Sequence, residues 1–182
     1  MRFSLLLALF LPVAACAQSG QRGRNGPAGQ GGFPAASAPA TPQQIIAPEV
    51  PVLEGLPHAV KVGNTVYVGA MVPLDSAGRL VGVGDLAAQA RQAVRNLAAV
   101  MRAARGAPGD VIQATIYIRD LTPDKVVIVR NAVLDGLDRA TPPALSVIGV
   151  SALTEPGIEI MIDAIGQLRS EFPDRSRLGR ER

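Results

Sequence analysis

The chain has 182 residues, 48% of them hydrophobic, with 18 Lys/Arg against 15 Asp/Glu, one His and one Cys. That length holds one ordinary domain with appendages, and the apolar fraction excludes a wholly disordered chain. A single Cys and a single His exclude an internal disulfide and a Cys/His zinc cluster, and 3% aromatics without Trp argue against a base-stacking surface.

The first element in chain order is an export signal over residues 1–15. Arg2 supplies its positive charge, Leu5 to Leu11 its apolar run, and Pro12 and small residues follow. The run is too short to span a bilayer as a helix. Two processing patterns compete at its end. Val13-Ala14-Ala15-Cys16 fits a lipobox, which makes Cys16 a lipidation site and the membrane a partner. Ala15-Cys16-Ala17 fits an ordinary signal-peptidase site. Either pattern predicts a periplasmic or envelope-associated protein.

Residues 16–50 are expected to form a linker. From Ala17 to Gln44, Gly, Pro, Ala and Gln supply 21 of 28 residues, too few apolar groups to offset the entropy of ordering. Residues 171–182 form a charged tail. Between Pro51 and Ser170, eleven Lys/Arg balance eleven Asp/Glu, so the pI of about 9.6 arises at the ends. The domain over 51–170 is therefore neutral, and no nucleic-acid partner is expected.

Within that domain, Ala59–Val62 and Thr65–Val68 flank Gly63-Asn64 and predict a tight hairpin. Asp75-Ser76-Ala77-Gly78 predicts a turn. Asp85 caps a helix with Leu86, Ala90, Val94, Leu97 and Met101 on one face and Gly106 as its stop. A second stripe carries Arg91, Arg95, Arg102 and Arg105, which reads as a solvated face or, alternatively, an anion patch. Val111 to Ile118 alternates as a strand, with Ile112, Ala114, Ile116 and Ile118 facing one way. Thr122-Pro123-Asp124 opens a second helix bearing Val126, Val129, Val133 and Leu137. Ser146 to Val150 and Ile158 to Leu168 complete the strands, joined through Thr154-Glu155-Pro156-Gly157. The fold class is α+β, a sheet with two helices packed on one face.

Catalytic constellations are scarce. No phosphate-binding loop, dinucleotide fingerprint or G-x-S-x-G elbow occurs, so no cofactor or metal is expected. His58 is the sole imidazole and reads better as a surface or interface residue than as a catalyst. Glu159, Met161 and Asp163 share one face of the last strand.

Several strings together resemble a known family: Gly63 to Gly69, Pro73-Leu74-Asp75, Gly78-Arg79-Leu80, Gln89 to Leu97, Asp110 to Tyr117, Pro143-Ala144, and Ile162 to Ile165. In order and spacing they resemble the RidA (YjgF/YER/UK) reactive-intermediate deaminases. The resemblance implies a chorismate-mutase-like fold and a homotrimer with small-molecule clefts between subunits. It also implies hydrolysis of enamine or imine acids. The family's carboxylate-clamping Arg lies in Pro-Ala-Arg-Ser, and here the motif reads Pro143-Ala144-Leu145-Ser146.

The family's Ser-Gly-Gln becomes Gly69-Ala70-Met71, and its water-positioning Glu falls on Met161 or Glu159 depending on the alignment chosen. Asn131 and Ser146 are retained, and His58 lies near the place of the family's early Tyr. The expected cleft therefore comprises His58, Gly69, Met71, Asn131, Leu145, Ser146, Glu159 and Met161, with Glu159 and Asn131 as catalytic candidates. Leu cannot make a bidentate charged pair, so the sequence predicts a binding module without standard deaminase activity. An active imino-acid deaminase is the alternative.

Overall fold

A computed structural model describes residues 40–52 and 55–169. The export signal over 1–15, Cys16, residues 16–39 of the expected linker and the tail over 171–182 lie outside the described residues. Among the described residues, six strands form one sheet in the order β1-β2-β3-β6-β4-β5. They are β1 (Gln43–Ile45), β2 (Ala59–Val62), β3 (Thr65–Met71), β4 (Val111–Arg119), β5 (Ala144–Val150) and β6 (Ile160–Gln167). Helices α1 (Leu86–Ala103) and α2 (Pro123–Gly136) contribute buried side chains to the same core cluster as the strands.

The linker expectation fails at its C-terminal end. β1 pairs antiparallel with β2, Gln43 opposite Lys61 and Ile45 opposite Ala59, and Ala47 and Val50 are buried. Three strand residues are too few to register as periodicity, which is why composition alone assigned them to a linker.

The hairpin forms as expected, with Gly63 at φ +59° in its turn. Asp85 Oδ1 accepts the Ala88 amide at 3.0 Å and starts α1. The stop differs from expectation. Arg105, not Gly106, takes the left-handed conformation (φ +66°), and its amide donates to Arg102 while the Gly106 amide donates to Met101. This is a Schellman closure. Glycine suits position 106 for another reason: a Cβ there would push against the end of the Leu168 side chain.

β5 and β6 follow each other in the chain but are not neighbours, because β4 lies between them. β4 pairs parallel with β5 and antiparallel with β6. The parallel pair needs a crossover, and α2 supplies it. Val66, Val68, Ala114, Ile116, Ile118, Ile160 and Ile162 form the sheet side of the core. Each fully buried Ile contributes roughly 1.5–3 kcal/mol. Ile112 does not join them. A register shift between Val111 and Gln113 breaks the alternation and leaves Ile112 53% exposed.

Candidate functional site

A cavity of about 410 Å³ lies beside β3, lined by Val50, Leu56, His58, Gly69, Met71 and Asn96 among others. Its polar side chains are already engaged. Asn96 Nδ2 donates to the carbonyls of Val72 (2.8 Å) and Leu74 (2.9 Å), and its Oδ1 accepts from Gln92 Nε2 at 2.9 Å. His58 is 5% exposed, and its Nδ1 accepts the Ala47 amide at 3.0 Å. That bond assigns the proton to Nε2, which donates to the Pro51 carbonyl at 3.2 Å. His58 therefore lines the cavity but fastens the chain around β1, with neither ring nitrogen left for a substrate. Among the described residues, no charged side chain lines this space. Such a cavity suits a neutral, largely apolar guest.

The other expected cleft residues are elsewhere. Leu145 sits opposite Ala114 in β4, half-buried against the core, whereas Ser146 sits opposite Thr115 on the other face of the sheet. These neighbours thus point apart. Asn131 is exposed on α2. β5 is three strand spacings from β3, about 14 Å, so one copy of the chain does not unite Leu145 with His58, Gly69 and Met71.

Glu159 is not a free base. Its carboxylate pairs with Lys125 Nζ at 3.4 Å, and that ammonium also donates to the Arg119 carbonyl at 2.9 Å. Its backbone amide donates to Gln89 Oε1 at 2.8 Å. Met161 lies on β6 opposite Tyr117, on the sheet face away from the helices.

That face also carries Thr115 and Asp163, opposite each other, with Tyr67 at 51% exposure. Partial burial lifts the Asp163 carboxyl above the usual carboxylate range, opposed by a hydrogen bond from Tyr117. The charge of Asp163 in turn raises the Tyr117 phenol. A carboxyl with a raised folded pKa holds its proton more tightly in the native state. Its contribution to stability is full below the unfolded pKa and is lost as pH rises through the folded one. Asp163→Asn is thus expected to melt above the parent at pH 7 and with it at about pH 3, where both carboxyl forms are protonated. Equal melting temperatures at both pH values would contradict this.

Sequence reasoning missed Gln89, wholly buried on the apolar face of α1. Its Nε2 donates to the carbonyls of Gly82 (3.1 Å) and Gly157 (2.8 Å) while Oε1 holds Glu159. The signal was a polar residue inside an apolar stripe, flanked by Leu86, Ala90 and Ala93.

Residues 49–167 match the family model described as Endoribonuclease L-PSP. The chain is similar to a RutC family protein of Sulfurisphaera tokodaii, 31% identical over 106 residues, covering 58% of this chain and 82% of that one. It is also similar to the 2-iminobutanoate/2-iminopropanoate deaminase of Salmonella typhimurium, 31% identical over 112 residues, 62% of this chain and 86% of the relative. With two RutC family proteins of Pyrococcus species the match spans about half of the relative's length, 50% and 51%. The crystal structure of RidA from an Antarctic Psychrobacter superposes with a TM-score of 0.62 at 29% identity, covering 69% of this chain and 99% of that one.

Proposed function

Since the chain belongs to the RidA family, we propose that it is an exported, lipid-anchored member. It binds a neutral or apolar small molecule in clefts between subunits and lacks standard imino-acid deaminase activity. The observation that carries this reading is Leu145, an apolar side chain where the resemblance places the carboxylate-clamping Arg. Leaving a carboxylate without a charged partner in a cleft is costly, so an imino acid gains little there. The cavity beside β3 supports the same reading, since its polar side chains are already bonded.

In this reading the cleft needs a second copy of the chain, because β5, which carries Leu145, lies three strands from β3. Light scattering of the domain is expected to give the mass of three copies. A monomer would remove the cleft, and with it this reading.

Anchoring rests on Cys16 in its lipobox context. Cys16→Ala is expected to move the protein from the membrane to the soluble fraction, and an unchanged distribution would defeat the anchor. Deaminase activity is the second reading, favoured by the Salmonella relative's name and match length. RNA cleavage, suggested by the family description, fits poorly with eleven cations balanced by eleven anions and few aromatics in the domain.

A further inference from the structure

The arginine stripe on α1 borders a groove, about 370 Å³ in volume, between α1 and α2. Arg91, Arg95 and Arg102 line it, at relative positions 0, 4 and 11. At 100° per residue these fall within about 40° of one another, along roughly 16 Å of helix. Apart from Asp135, the rest of the lining is apolar or small: Val94, Ala98, Ala132 and Gly136, with Pro108. The helices meet closely here, since a Cβ on Gly136 would collide with Val94.

The charge in this groove is uncompensated. Among the described residues, none of the three guanidinium groups pairs with a carboxylate; Arg95 bonds the neutral Gln92 Oε1. The acid in the lining, Asp135, is held by Arg139. Arg91 and Arg95, four residues apart, repel each other and destabilise an isolated helix. In a domain with balanced charges, this local excess is the feature left unexplained by the cavity beside β3.

We infer that this groove is a second ligand site, separate from the intersubunit cleft, and that it takes a small amphiphilic anion. A phosphate or carboxylate head meets the arginines, and a short alkyl chain lies on Val94, Ala98 and Ala132. Guanidinium groups suit such heads, because their donors match two oxygens at once. The volume corresponds to about a dozen water-sized units at roughly 30 Å³ each, enough for one head and a short chain. An inorganic anion alone leaves the apolar floor uncovered, and an uncharged chain leaves the arginines unused.

The test is calorimetric titration of the full chain with decyl phosphate below its micellar concentration, with decanol and inorganic phosphate as matched controls. The variant is Arg95→Gln/Arg102→Gln, both on exposed positions, with its melting temperature as the check on folding. Saturable binding of decyl phosphate, weakened about tenfold in the variant, is expected. Neither control should match it. Flotation with neutral vesicles, with and without an anionic phospholipid, separates the sources. Arginine-dependent flotation alongside decyl phosphate binding assigns the ligand to the membrane, and decyl phosphate binding alone assigns it to a free amphiphile. Equal affinity in the variant, equal affinity for either control, or no saturable binding of decyl phosphate would overturn the proposal.

Discussion

Replacing Gln89 by Leu is expected to cost about 3–5 kcal/mol of folding stability, although the two side chains are similar in size. The substitution leaves the carbonyls of Gly82 and Gly157 and the amide of Glu159 without their partner at 2.8 to 3.1 Å. Each buried polar group left unsatisfied costs about 1–3 kcal/mol, and the total stays below three times the upper figure because exposed turns near Gly82 and Gly157 can reach water. Those two glycines have φ of +73° and +90°, so their carbonyls are aimed by backbone that few other residues adopt. Urea unfolding measures the effect as a lower midpoint at unchanged slope. Arg91→Gln, on the exposed side of the same helix, should stay within about 0.5 kcal/mol. A loss below about 1 kcal/mol for Gln89→Leu would mean that the three bonds do not hold the start of β6 to α1.

Leu145→Arg carries the largest expected effect on binding. If an apolar side chain is what denies the cleft a carboxylate, restoring a guanidinium should tighten 2-oxobutanoate binding by about 2–5 kcal/mol, roughly 30-fold to several thousandfold. β5 is an edge strand of the sheet and Leu145 is only half-buried, so the longer side chain has room to extend past the core. Calorimetry on parent and variant, with trimer mass as the check on assembly, reads this directly. No gain in a variant that still assembles would mean that the position does not face the ligand.

The sheet and helices were legible because their signals are local. Gly63-Asn64, the Asp85 cap and the spacing of Leu86, Ala90, Val94 and Leu97 each report on a few neighbouring residues. Strand order was not legible: nothing in β5 or β6 says that β4 lies between them. Ile112 looked like core until the register shift expelled it, and a bulge leaves no mark in hydrophobic alternation.

The site was harder still. Leu145 and Ser146 are adjacent in a motif yet face opposite sides of the sheet, and Glu159 is taken by Lys125, which lies 34 residues earlier. His58 was a surface or interface residue by the sequence reading. It proved buried, with both nitrogens bonded to backbone, one to Ala47 inside the expected linker and one to Pro51 just past its end. Long-range pairing decides each of these, and it is carried by no single window of residues.

This RidA-family protein is expected not to hydrolyse imino acids. The measurement is ammonia release by the parent protein from freshly generated 2-iminobutanoate, where water adds to the imine carbon and ammonia leaves as the 2-oxo acid forms. Leu145→Arg is run beside it. Release by the parent no faster than buffer is the predicted result. Saturable release by the parent would contradict it, and would mean that another residue holds the carboxylate in the absence of the Arg.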